Sequence, residues 1–222
     1  MLHAPVVLSD TAFDVLWHYD DLGEHHTVLH VPPVEANARE VEQALHRDGV
    51  HVDDTLEALR VLAFADFECF GWIAFNREDT LPVVAATAGR HGVVALRDNG
   101  YVRLQTLRSD PSDTLAAHLP EMPPGRGTSI NARAEEAQRS PGLADLMQRP
   151  RTGAAKLYAA RRDRYGRRRR SESFVSTIDC LDGRWLIVRY ADGRGQRWVH
   201  ATPATRHLIG EWIRRIADLN AP

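Results

Sequence analysis

Eleven histidines, two cysteines, several paired carboxylates and one dense run of arginines are the residues of this chain that can do chemistry. His18, His25, His26 and His30 form the tightest histidine group, and metal ligation is the chemistry such a group invites. Their spacing does not fit one helix face, the segment reads as helix, turn and strand, and neither H-E-x-x-H nor a Cys/His pairing surrounds them. A solvated, His-rich turn is the expectation, with no metal and no cofactor. Cys69 and Cys180 fall in apolar strand patterns, which predicts buried free thiols. Asp20-Asp21 and Asp53-Asp54 sit where helices start or end, so capping and dipole effects account for them without catalysis. The chain has no phosphate-cradling G-x-x-x-x-G-K, no strand-borne G-x-G-x-x-G and no G-x-S-x-G elbow, and an enzyme is not expected.

The arginine run is Arg161-Arg162-Asp163-Arg164-Tyr165-Gly166-Arg167-Arg168-Arg169-Arg170, which reads as the tip of a β-hairpin. Three readings stand side by side. Such a tip discourages sheet-to-sheet aggregation as a solvated edge. Alternatively Arg164, Arg167 and Arg168 meet an anionic protein surface. As a third reading, a basic ribbon tracks the phosphates of a nucleic acid with Tyr165 stacking on a base, making the protein a nucleic-acid-binding regulator. Against that last reading, the whole chain is slightly acidic, with a formal net charge of −2.

Charge divides the chain more sharply than its sum suggests. Residues 1–110 carry 8 basic against 18 acidic side chains, and residues 111–222 carry 20 against 12. The opposite signs suit attraction between halves of one fold, and equally admit a homodimer. At 222 residues and 43% apolar content the chain is long enough for a substantial core. It holds no apolar run of about eighteen residues to span a bilayer and no secretory leader, so a cytoplasmic protein is expected.

The elements that position these residues follow a plan that occurs twice. Pro82 to Leu107 reads as strands broken at Arg90-His91 and at Asn99-Gly100, whose residues tolerate the positive φ of a tight hairpin. Asp110-Pro111 then opens a helix that ends near Leu119. Phe174 to Ala201 repeats the meander with a turn at Asp192-Gly193, and Thr202-Pro203 opens a closing helix that runs to Leu219. Ahead of the first meander the patterns predict a helix capped by Ser9 or Asp10, a strand over His26–Val31, a helix over Glu35–Arg47 closed by Gly49, a helix from Asp53 or Asp54, and a strand over Phe67–Phe75. Pro120, Pro123, Pro124, Gly125 and Gly127 make an irregular connector, after which Asn131–Arg139 and Gly142–Gln148 read as short helices and Ala155–Arg162 as a strand. The fold class is α+β: an antiparallel sheet with flanking helices and a pseudo-twofold duplication. The whole forms one domain over 1–222, in halves of about 1–119 and 128–222 joined by the connector 120–127.

The opening VVLSDTAFDVLWHYDDLGEHHTVLHVP resembles the N-terminal signature of the EspG family, the type VII (ESX) secretion-associated chaperones of actinobacteria. The similarity continues through GVVALRDNGYVRLQTL, the proline-glycine connector, YAARRDRYGRRRR and GRWLIVRY to the closing helix. It implies a central antiparallel sheet with helical bundles, no catalysis, and a cytosolic chaperone that grips the helical tip of a PPE-type partner within a PE–PPE pair. The sheet, the loop between its second and third strands and the C-terminal bundle are the family's gripping elements. The loop maps here to Asn76–Leu81, with Trp72 and Phe75 leading into it; Asn76, Arg77, Glu78 and Asp79 of the loop and Trp212 of the closing helix are the implied contact residues. The loop is short, so a PPE-like or other small helical substrate, WXG100-like proteins included, is the implied partner. Trp72 and Phe75 fit buried sheet core as well, and so do Trp198 and Trp212.

Overall fold

The computed structural model describes residues 2–33, 37–47, 50–75 and 79–218. Two groups of elements repeat one order. The first is β1 (Val6–Ser9), helices α1 (Asp10–Tyr19), α2 (Ala38–Arg47) and α3 (Val52–Ala63), the meander β2 (Phe67–Ala74), β3 (Thr80–Ala88), β4 (His91–Asp98) and β5 (Tyr101–Thr106), and helix α4 (Pro111–Ala117). The second is β6 (Ile130–Arg133), a 3-10 turn (Ala137–Arg139), α5 (Pro141–Gln148), the strands β7 (Arg151–Arg162), β8 (Arg168–Arg170), β9 (Val175–Cys180), β10 (Gly183–Ala191) and β11 (Arg197–Pro203), and helix α6 (Arg206–Asp218).

All eleven strands lie in one sheet in the order β1-β5-β4-β3-β2-β7-β9-β10-β11-β6, with β8 continuing beside β7 past the end of β9. Reading outward from the β2–β7 seam, each side presents a meander and then the short strand that precedes its helices. The seam pairs Phe67 with Arg161 and Ala74 with Ala154. At its middle the two backbones come so close that a Cβ on Gly71 would sit 2.1 Å from the Lys156 carbonyl oxygen. We expect Gly71→Ala to cost about 1–3 kcal/mol through forced separation of the seam, read as a lower urea midpoint with an unchanged slope.

The sheet's alternation sends one set of side chains to each face. On one face Val83, Ala85, Val94, Leu157, Val175, Leu186 and Val188 pack beneath α4 and α6. These two helices touch closely enough that a Cβ on Gly210 would lie 2.4 Å from Asp113 Oδ1, and Arg214 Nη1 holds Asp113 at 2.9 Å and Asp110 at 3.2 Å. On the other face the first half is roofed by α1 and α3: Phe13, Leu16, Trp17, Leu56, Leu59 and Leu62 cover Phe70, Val84, Ala86, Val93, Val102 and Leu104. Among the described residues the second half has α5 and the 3-10 turn there, and Leu143 and Leu146 of α5 cover Ile178, Cys180, Trp185, Val199 and Ala201.

Several local causes act as the residue types predict. Ser9 Oγ accepts from the Ala12 amide at 3.1 Å and caps α1, and Asp110 accepts from the Ser112 amide at 2.9 Å with Pro111 at the first helical position of α4. Asn99 (φ 48°) and Gly100 (φ 80°) both have positive φ, which suits the tight β4–β5 hairpin. Both cysteines are buried free thiols, and burial pushes the Cys69 thiol far up.

Several expectations are corrected. Residues 26–31 form no strand. Val28, Leu29 and Val31 are all buried beneath α1, so the stretch plugs the core and its burial does not alternate. Residues 131–133 are strand rather than helix, because Ile130, Ala132 and Ala134 share the α5 side at period two and the edge of β11 offers partners from Ile130↔Ala201 to Arg133↔Trp198. Pro203 ends β11 opposite Trp185, and α6 starts at Arg206 with Thr205 Oγ1 accepting from the Leu208 amide at 3.2 Å. A proline without an N–H closes a ladder as readily as it opens a helix. Asp53 and Asp54 lie inside the first turn of α3, and the preceding residue, His51, makes no side-chain cap. In the β10–β11 turn the positive φ falls on Gly195, while Asp192 Oδ1 accepts from the Arg194 and Gln196 amides at 2.9 Å each. Gly49 and Leu219 lie outside the described residues.

Candidate partner-binding surface

One row of cross-strand neighbours runs over the seam: Trp72 on β2 faces Lys156 on β7, which faces Ser176 on β9, Ile187 on β10 and Ala201 on β11. All five point to the face that α1 and α3 roof in the first half. Past Trp72 that roof ends, and α5 begins again only over the outer strands, so the row crosses an open trough. Ala154, Ser176, Ile178 and Ile187 form its floor, and Met147 and Ala144 of α5 form one wall. Phe174 lines the opposite side and leads into an aromatic cluster beyond the trough. Trp72 meets Tyr158 edge-on at 6.3 Å between ring centroids, Tyr158 meets Phe174 at 5.5 Å, and Lys156 Nζ lies 4.5 Å above the Phe174 ring. The trough encloses 570 Å³.

Arg151 and Arg189 stand at its rim, with Lys156 beside the floor. An apolar floor with cationic edges suits an amphipathic helix whose apolar stripe is flanked by carboxylates. None of the three basic side chains is buried.

The residues expected at a site fall in three places. Trp72 is half-buried and packs on the first-half core, outside the residues that line the trough. Phe75, 40% exposed, follows directly after Ala74, the partner of Ala154 in the trough floor, and its amide donates to the Asp79 carbonyl at 3.0 Å. Asp79 is exposed, and Asn76, Arg77 and Glu78 lie outside the described residues. Trp212 is elsewhere: it is buried on the opposite face, stacked on His200 at 5.4 Å with the Arg215 guanidinium 4.6 Å above it. Burial, and next the Arg215 charge, depress the His200 pKa. Trp198 is half-buried and donates its indole N–H to Asp192 at 3.1 Å.

Arg164, Arg167 and Arg168 occupy the far end of β7, roughly 30 Å from the trough end of that strand at about 3.3 Å per residue. Their hairpin projects past the end of β9, and β8 pairs with β7 alone, which leaves its other side a short edge. Much of its charge is committed within the chain. Arg161 pairs with Asp218 at 3.1 Å, Arg162 donates to the Ala63 carbonyl at 2.7 Å, and Arg169 meets Asp163 at 3.3 Å. Arg164 covers the Tyr165 ring at 4.9 Å. Arg168 reaches down to Glu68, donating from Nε to Oε1 at 2.5 Å, and lies over Phe70.

Glu68 is 3% exposed. Burial would raise its pKa, but His26 and Arg168 together outweigh that and hold the carboxyl below its ordinary range. A carboxyl depressed in the folded state adds stability above the ordinary carboxylate range and loses it as pH falls through the depressed value. We therefore expect Arg168→Ala to cost about 1.5 kcal/mol at neutral pH, and the deficit to shrink as acid protonates Glu68. Urea unfolding from neutral into acid pH checks this.

The histidine-rich turn is not solvated as a whole. His26 is 8% exposed against Glu68, and the His25 side chain is 6% exposed against Asp14. The trough itself escaped a residue-by-residue reading of the sequence, although a signal for it exists. The first half places three helices between β1 and β2, and the second places one short helix and a 3-10 turn between β6 and β7. A duplicated sheet with unequal helical cover leaves part of one face open.

These features define an α+β protein that presents part of a sheet face between two helical walls. The chain belongs to the EspG family, whose family model matches residues 9–215. Among solved structures it is similar to the Mycobacterium tuberculosis type VII secretion system chaperone EspG5, determined in complex with a PE25–PPE41 dimer. The TM-score is 0.76 at 18% identity, over 96% of this chain and 95% of that one. No curated protein matches the sequence. No helix among the described residues is long and apolar enough to cross a membrane.

Proposed function

We propose that this protein is a cytoplasmic, non-enzymatic chaperone of type VII secretion that seats the helical tip of a PPE-like substrate in the open trough, keeps it soluble and delivers it for export. The observation that carries the reading is the uncovered apolar floor of the second half-sheet, with Arg151 and Arg189 at its rim and Lys156 beside it. Membership of the EspG family and the similarity to a chaperone solved with a PE–PPE dimer supply the partner class. An isolated helical tip exposes apolar side chains that drive aggregation, and a trough lined by Ile178, Ile187 and Met147 removes them from water. We further propose that the chain is one domain of two related halves, 1–119 and 128–222, and that the second half evolved to leave its face open.

Co-expression provides the test. A PPE-like partner, alone or with its PE protein, should be recovered in the soluble fraction only when this chain is present, and a WXG100-like helical substrate is the second candidate. Solubility indifferent to the chain for both substrate types would overturn the reading.

A further inference from the structure

Asp14 and His18 stand one turn apart on α1 and so share a helix face. Beyond the helix the chain reverses through Asp21 (φ 50°) and Gly23 (φ 77°), and the Trp17 indole N–H fastens the turn by donating to the Gly23 carbonyl at 2.9 Å. This brings His25 back onto the same face. Its ring lies 5.3 Å from Phe13, 5.5 Å from Trp17 and 5.4 Å from His18, measured between centroids. Asp14 Oδ1 is 3.2 Å from His18 Nδ1 and 3.3 Å from His25 Nε2, and the three ligand atoms all lie within 4.8 Å of one another.

Two further observations point to a cation. The His25 side chain is 6% exposed, yet its Nε2, aimed at the Asp14 carboxylate, has no hydrogen-bond partner. In the tautomer that carries its proton on Nδ1, Nε2 offers its lone pair to a cation shared with the carboxylate. For a tetrahedral zinc with bonds of about 2.0–2.1 Å, ligand atoms stand about 3.3–3.4 Å apart, close to both observed separations.

We propose that Asp14, His18 and His25 form a binding site for a zinc-type divalent cation. His25 Nε2, His18 Nδ1 and Asp14 Oδ1 supply three ligand atoms, and the fourth position faces the exposed side, where water or the nearby His30 completes the set. His18 Nδ1 lies 2.9 Å from the Asp14 carbonyl oxygen. Ligation needs its lone pair, and the proton then sits on the other nitrogen of a ring that is 63% exposed. Asp14 and its helix are thereby clamped to the loop that carries Val28, Leu29 and Val31 into the core.

The test uses the full chain without a histidine tag, stripped with a chelator and titrated with ZnCl2 against a chromophoric competitor. One equivalent should bind, Tm should rise by roughly 5–10 °C at a hundredfold excess over Kd, and MgCl2 should do nothing. His18→Ala, at an exposed position, should leave the metal-free Tm unchanged and weaken zinc binding at least about 10–100-fold. Co2+ should give the intense visible band of a tetrahedral site in the wild type and lose it in that variant. Asp14→Asn should also abolish the zinc-dependent rise in Tm. No rise in the wild-type Tm, or a His18→Ala titration identical to the wild type, would overturn the proposal.

Discussion

Replacing Arg184 with alanine is expected to remove about 3–5 kcal/mol of stability and to lower Tm by roughly 10–15 °C. Arg184 is fully buried, and its fork meets Asp179 across β9 and β10, Nε to Oδ1 at 2.6 Å and Nη2 to Oδ2 at 2.7 Å. Truncating the arginine strands a carboxylate that is 4% exposed, and the cost is that of an uncompensated buried charge. The backbone of the same residue anchors the connector. Its amide donates to the Pro123 carbonyl at 2.9 Å, and its carbonyl accepts from Gly125 at 2.8 Å and from Ala204 at 3.0 Å. Loosening β10 here therefore disturbs both the link between the halves and the approach to α6. Arg184→Lys should not rescue, because one ammonium cannot reproduce the two-pronged contact. The double variant Arg184→Met, Asp179→Leu should recover most of the loss, since it leaves neither charge unpaired. Chemical unfolding of the wild type and the three variants ranks these outcomes. A loss below about 1 kcal/mol in Arg184→Ala would mean that the pair is solvated in solution.

The second large effect concerns binding. Ser176→Trp should weaken association with a PPE-like partner at least about 100-fold, equivalent to about 2.7 kcal/mol, while leaving Tm close to the wild type. Ser176 sits at the centre of the cross-strand row, half-buried, between Lys156 and Ile187. An indole placed there occupies the volume a helix needs, and it lies on the unroofed part of the sheet where no native packing is displaced. Ile187→Glu should act in the same direction by charging the floor. Arg189→Glu should slow association most at low salt, because a rim charge steers encounter more than it holds the complex. Titration calorimetry with a co-purified partner separates these. Full-strength binding by Ser176→Trp would move the interface off the trough.

Legibility in the sequence followed the range of the interactions. Turns and caps were readable because their causes lie within four residues: Ser9, Asp110-Pro111 and Asn99-Gly100 behave as their types dictate. Errors arose where a distant partner decided the outcome. Residues 131–133 became strand because the edge of β11 offered hydrogen bonds, and residues 26–31 lost their strand because α1 offered a cavity for Val28 and Leu29 instead. Arg168 looked like surface decoration, yet Glu68, a hundred residues earlier, draws it inward. Spacing along one helix excluded a histidine cluster, and the chain reversal at Gly23 assembles one from a helix and a loop. At the candidate surface, Trp72 and the start of the β2–β3 loop were reached through family resemblance, whereas the floor at Ser176 and Ile187 became visible only once the roof was seen to stop.

The β2–β7 seam also dictates the order of assembly. Strands β2 to β5 and β9 to β11 pair with their immediate neighbours in sequence, so both meanders can zip by local closure. The seam pairs Gly71 with Leu157 and Phe67 with Arg161, across loops of more than eighty residues, and it is expected to close after the meanders and to slow folding. Until it closes, each half exposes one unpaired central edge, and those two edges are complementary. Newly made chains at high concentration can therefore pair β2 of one molecule with β7 of another, giving an interlocked dimer by strand exchange that slow dilution during refolding should suppress.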